Sequence, residues 1–273
     1  MKVSFIICYS STWPMTVFDK ECWPEPDLAL DKKILKQTNN LIKQILGFQG
    51  MNKEVILVDN SDDFVCELSG KDADDHLRII KRRKHYSERI DDTNNQAKVT
   101  AEAYNIGLSY VTGTHICIQH NDTQYLTQYY PYGELFVDLD KTLNDFDLEY
   151  ISIDAKPGKV PNQEGNIYAD CYWFFCRHDF YLKNNIDVDY KRGDNNHQAT
   201  ITCIEKDLKF LHLPGFHEVT GLGMNYKIHL RRNYPGLSRL DGNVHSFLDI
   251  PFLYHYKGGT GLKSLIIKND ITD

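Results

Sequence analysis

Two apolar runs in this chain end on residues rich in lone pairs. "EVILVDNSDD" delivers Asp59 and Asn60, and "THICIQHNDT" delivers His120, Asn121 and Asp122. Carboxylate, amide and imidazole groups at the end of a buried strand suit two purposes. They can make a turn, because Asn and Asp side chains bond their own backbone there. They can also form the lip of a site that holds a cation or a phosphate. The surrounding elements must decide whether the two endings share one place.

Residues 2–8, "KVSFIIC", read as a buried strand. Residues 32–48 set Ile34, Leu35, Leu41, Ile42, Ile45 and Leu46 on one face of an amphipathic helix. Residues 53–59 are a second buried strand, so the order is βαβ with parallel strands that need cover on both faces. The pattern repeats with a strand at 77–83, a helix at 94–111 closed by Gly113, and a strand at 115–119. An α/β fold with an open parallel sheet follows. Ligands of such sheets sit at the carboxyl ends of the strands, near a switch in strand order. Asp59 and the His120-Asn121-Asp122 run are therefore expected to face one pocket. Further on, 149–155, 171–177 and 208–214 read as strands and 196–207 as a helix. No repeat or linker separates a second unit, so one domain over 1–273 is expected.

The composition is that of a globular protein, with 41% hydrophobic and 25% charged residues. A net charge of -7 disfavours a nucleic-acid partner, and the basic "KRRKHY" run is embedded in acidic neighbours. No apolar run is long enough to span a bilayer, and the first apolar run is too short for a signal peptide. The seven cysteines are odd in number, unpaired in spacing and mostly within apolar runs. A reducing, cytoplasmic location is expected.

"VSFIICYSS", "EVILVDNSDD" and "AEAYNIGLSYVTGTHICIQHND", in that order, resemble the GT-A glycosyltransferases, especially family 2-like enzymes, over residues 1–125. The resemblance implies a Rossmann-like nucleotide-diphospho-sugar transferase fold, with a mostly parallel central sheet flanked by helices. Residues 1–125 would bind the donor and 126–273 the acceptor. It implies transfer of a sugar from a UDP-, GDP- or dTDP-sugar to a hydroxyl of a glycan or other acceptor. Inversion is expected, since it needs one base and no protein nucleophile. A Mn2+ or Mg2+ ion would serve as Lewis acid.

On this resemblance Asp59 and Asn60 bond the base or ribose, and Ser10, Ser11 and Trp13 lie over the base. His120, Asn121 and Asp122 take the place of the DxD motif. Asp122 stands at the position that touches the metal, and His120 replaces the first Asp. An imidazole can still coordinate Mn2+ or bond a ribose hydroxyl. Lys98 takes the place of a basic residue near the diphosphate, and Asn105 holds its helix against a loop. Downstream, "YKRGDNNHQ" supplies Asp194 as general base, although the family's Asp falls strictly on Asn195. His217 completes the metal shell, with His255 in "FLYHYKGG" competing for the role. Arg231 and Arg232 steady the diphosphate. Each has a plain structural counterpart: a solvated loop Asp, a core His, a surface ion pair. The aromatic residues of "CYWFFC" and "TQYYPYGE" could stack on sugar rings or fill the core.

Other readings fit less well. "KGGTGLKS" lacks the spacing of a phosphate loop, and no GxGxxG follows the first strand. A sugar nucleotidyltransferase would carry a Gly-rich basic loop after that strand, and "CYSSTWPM" is not one. The remaining alternative is a GT-A-like domain without catalysis that binds a glycan or protein, for which His120 is the best argument.

Overall fold

A computed structural model describes residues 1–9, 28–60, 64–82, 95–130, 133–154, 169–186, 188, 196–213 and 242–256. In chain order the strands are β1 (Lys2–Tyr9), β2 (Asn52–Asp59), β3 (Leu77–Lys81), β4 (His115–His120), β5 (Thr123–Tyr125), β6 (Tyr150–Asp154), β7 (Ala169–Arg177), β8 (Phe210–Leu213), β9 (Gly242–Phe247) and β10 (Ile250–Tyr256). The helices are α1 (Leu28–Leu46), α2 (Lys71–His76), α3 (Asn95–Leu108), α4 (Glu134–Asp145), α5 (His178–Asn184) and α6 (His197–Glu205).

The main sheet runs β3-β2-β1-β4-β7-β6-β8. β7 alone is reversed, pairing antiparallel with β4 and β6, while the remaining pairs are parallel. This is the open, mostly parallel sheet flanked by helices that the apolar runs predicted. Strand order switches beside β1: β2 lies on one side and β4 on the other, and open sheets of this kind take their ligands at the carboxyl ends of such strands.

Alternation along each strand divides the interior into two cores. Val3, Phe5 and Ile7 of β1 with Val55 and Leu57 of β2 pack under α1 and α4, through Leu41, Ile42, Ile45, Phe136 and Leu139. Ile6 and Val58 with Ile116 and Ile118 pack under α3, α5 and α6, through Ala103, Tyr104, Phe180 and Cys203. Gly107 lets α3 come this close. A Cβ there would fall well inside contact with the Ile6 side chain. Asn105 locks α3 to the next segment, donating to the Val188 carbonyl at 3.0 Å and accepting its N–H at 2.9 Å. The "AEAYNIG" pattern is thus a packing device, as expected for Asn105.

The second sheet, β5-β10-β9, is antiparallel and was not anticipated. Nor were α2, α4 and α5. The aromatic run in β7 is core: Trp173, Phe174 and Phe175 are fully buried. Of the Tyr pair in "TQYYPYGE", Tyr130 is buried and core packing accounts for it, whereas Tyr129 is half-buried.

Candidate active site

The register puts the two strand endings at one edge. Tyr9 pairs with Asp59 and Cys8 with His120, so both endings flank the end of β1. They lie on opposite faces, however. Asp59 shares the α1 face with Val55 and Leu57, whereas His120 shares the α3 face with Ile116 and Ile118.

Asp59 is fully buried, and its Oδ2 accepts the Phe64 N–H at 2.9 Å. Asn60 donates its backbone N–H to the Tyr9 carbonyl at 2.9 Å and its amide to Cys8 Sγ at 3.2 Å. Arg82 follows β3 and reaches the same corner. Its guanidinium donates to Asn60 Oδ1 at 3.5 Å and pairs with Glu102 of α3. Nothing in the chain's motifs had singled Arg82 out.

The "QHND" stretch ends β4 and turns at Asn121 and Asp122 into β5, and it is also a polar cluster. Thr123 closes the turn by donating to the His120 carbonyl at 2.7 Å. Asn121 donates to Thr38 Oγ1 of α1 at 3.2 Å, which ties the turn to the helix. The His120 ring stacks on Tyr104 of α3 with centroids 6.4 Å apart. Asp122 sits between two imidazoles. His255 Nε2 lies 3.3 Å from its Oδ2 and His120 Nδ1 lies 3.8 Å from its Oδ1. β10 delivers His255, whose backbone pairs with Thr123. Burial pushes the Asp122 carboxyl up, but His255 and then His120 outweigh it and hold the group below the usual carboxylate range.

A divalent cation fits part of this arrangement. Two donors on one such ion, each at about 2.1 Å, stand roughly 3.0–3.5 Å apart. Asp122 Oδ2 and His255 Nε2 have that separation. Asp122 Oδ1 is buried and has no hydrogen-bond partner among the described residues. The same residues contain no group of three His, Cys, Asp or Glu side chains placed to hold a metal, so Asp122 and His255 would be two ligands of a larger set.

The other expected site residues are not brought to this cluster by the described part of the chain. Ser10, Ser11, Trp13, Asp194, Asn195, His217, Arg231 and Arg232 lie outside the described residues. Lys98 is within α3, but its side chain is not described. The elements on either side of 189–195 are placed. Val188 is held by Asn105 on the α3 face, and Asn196 is the N-cap of α6. Thr200 of α6 accepts the Ala169 N–H at 2.9 Å, and Ala169 pairs with Asp154 at the carboxyl end of β6. The start of α6 therefore lies at the same sheet edge as His120.

No family model and no curated protein matches the chain. Among solved structures, TarS of S. aureus in complex with UDP-GlcNAc is 11% identical with a TM-score of 0.44, over 74% of this chain and 53% of that one. A mutant of Drosophila β1,4-galactosyltransferase 7 in complex with manganese, UDP-Gal and xylobiose is 14% identical with a TM-score of 0.36, over 77% and 64%. The bifunctional IspDF of Campylobacter jejuni is 9% identical with a TM-score of 0.43, over 78% and 50%. The chain thus spans about half to two thirds of the lengths of these proteins. Among the described residues no helix is long and apolar enough to cross a membrane.

Proposed function

We propose that this chain is a GT-A glycosyltransferase that moves a sugar from a UDP-, GDP- or dTDP-sugar to a hydroxyl of a glycan or other acceptor, with inversion. One observation carries the reading. The Asp122 carboxylate, ionised and flanked by His120 and His255, stands at the carboxyl edge of an open α/β sheet beside its strand-order switch. That is where such sheets bind nucleotides.

Residues 1–125 form the donor half and 126–273 the acceptor half of one domain in this scheme. Asp59 and Asn60 line the nucleoside end, joined by Ser10 and Ser11. Asn121, Lys98 and Arg231 face the diphosphate. Asp122 and His120 hold a Mn2+ or Mg2+ ion, completed by His217 or by His255, the imidazole already at Asp122. When bound, that ion supplies positive charge to the diphosphate. Asp194 takes the proton of the acceptor hydroxyl. The acceptor oxygen then forms its bond to the anomeric carbon as the bond from that carbon to the phosphate oxygen breaks. The nucleoside diphosphate leaves with the electron pair. Support for Asp194 comes from the anchors of its segment, Val188 and Asn196, on the face and edge that His120 occupies.

A thermal-shift panel of nucleotide sugars, with and without Mn2+ or Mg2+, tests the reading, because a ligand of the folded state stabilises it by mass action. Asp122→Ala is expected to keep the fold and lose transfer. Full transfer by that variant with metal removed would sink the metal role. The second reading, a binding domain without catalysis, draws on His255, whose Nε2 already lies against Asp122 Oδ2 at 3.3 Å. It predicts glycan binding with no metal-dependent tightening of any nucleotide sugar.

A further inference from the structure

A buried polar cluster lies beneath the β4–β5 turn and takes no part in the scheme above. The Tyr125 hydroxyl donates to Gln119 Oε1 at 2.5 Å and receives the Trp173 indole N–H at 3.2 Å. Cys117 Sγ lies 3.7 Å from the same oxygen. An indole N–H can only donate, so the single phenolic proton is committed to Gln119. All four residues are buried. Burial, then Cys117, pushes the Tyr125 phenol well above its ordinary range, and the proton stays on oxygen.

The connectivity gives this hydroxyl a particular task. Gln119 immediately precedes His120 on β4, and Tyr125 is the last residue of β5, so their bond spans the turn that carries Asp122. Trp173 belongs to β7 of the main sheet, whereas β5 belongs to the small one. Tyr125 also pairs with Leu253, two residues before His255 on β10. Gln44 of α1 holds the Tyr125 backbone on both sides, accepting its N–H at 3.1 Å and donating to its carbonyl at 3.3 Å. One phenol thus fixes the small sheet, and His255 with it, against β4, which bears His120 and leads into the turn that carries Asp122.

We propose that Tyr125 is a positioning residue whose hydroxyl, clasped between Gln119 and Trp173, sets the placement of His255 against Asp122. Its consequence for catalysis, the readiness of Asp122 for the donor diphosphate, rests on the glycosyltransferase reading. Its structural content does not.

The test is a double-mutant cycle on urea-unfolding midpoints, Asp122→Asn against His255→Gln, run in the wild type and in Tyr125→Phe. The phenyl ring keeps its contacts with Phe48 and Phe136, at centroid distances of 5.1 and 5.9 Å. Non-additive midpoint shifts are expected in the wild type and additive ones in Tyr125→Phe. Phe136→Leu loosens packing against the same ring without touching a hydrogen bond, and should keep the non-additivity. Gln119→Met removes the acceptor and replaces Tyr125→Phe should that variant not fold. Equal non-additivity with and without the hydroxyl overturns the proposal, as does an additive wild-type cycle. A second readout is donor affinity, expected to weaken at least tenfold in Tyr125→Phe and not in Phe136→Leu. If the wild type binds no nucleotide sugar, the cycle still decides the positioning role and only the functional reading falls.

Discussion

Glu54 offers a sharp test of how the sheet edge far from the site is held. Its side chain is 15% exposed and gathers several donors. Thr112 gives its N–H to Oε1 at 2.8 Å and its hydroxyl to Oε2 at 2.7 Å. Ser4 donates to Oε1, and Lys2 Nζ approaches Oε2 at 3.1 Å. Burial pushes the carboxyl up, but the bonds from Ser4, Thr112 and Lys2 win and bring it from 4.5 down to about 2. The folded state therefore disfavours protonation by about 3 kcal/mol relative to the unfolded chain. A depressed carboxylate stabilises the fold fully above pH 4.5, and the stability is lost as pH falls from there through 2. Lys2 is 37% exposed, so its ion pair contributes under about 1 kcal/mol and the hydroxyl and amide donors dominate. Glu54→Gln should cost about 2–3 kcal/mol at pH 7, little at pH 2, and leave ligand binding at the opposite edge unchanged. Urea unfolding followed by circular dichroism from pH 7 to pH 2.5 measures it. A wild-type-to-variant difference that stays constant across that range would refute the reasoning, because it would mean that ionisation plays no part.

Two more predictions concern the helices on the α3 face. Gly107→Ala should destabilise the protein by roughly 1–3 kcal/mol, since the new methyl group overlaps the Ile6 Cγ2 methyl, and Ile6→Leu in the same chain, which removes that methyl, should recover part of the loss; thermal melts of the single and double variants decide it. His212 touches the Tyr150 hydroxyl at 3.0 Å, and burial, then the nearby His197, lowers its imidazole to about 4. A lowered imidazole means that the unfolded chain binds the extra proton first, so stability should fall as pH drops from 6.5 toward 4. His212→Gln should flatten that slope, and equal slopes in both proteins would count against it.

The first half of the fold was legible because its strands are buried on both faces and read as unbroken apolar runs: "KVSFIIC", "EVILVD" and "HICIQ" all became strands within a residue or two. The small sheet was not. β5 has three residues and β9 carries "GNVHSF", too short and too polar to stand out from a loop. Nor was α4, although Leu135, Phe136, Leu139 and Leu143 are buried at helical spacing. Arg82 lay in a basic run that reads as a solvated face, and only the fold turns its guanidinium toward Asn60 and Glu102.

Asp59 and Asp122 mark strand endings that local patterning places without any long-range information, since a buried strand must stop where lone-pair groups begin. Their relation to each other is a different matter. Strand order and register brought both to the end of β1, and side-chain alternation then set them on opposite faces. His255 stands 133 residues from Asp122 along the chain and meets it only because β10 pairs with β5. No periodicity encodes that meeting. It depends on antiparallel pairing in a second sheet, and on the buried Tyr125 hydroxyl between the two sheets.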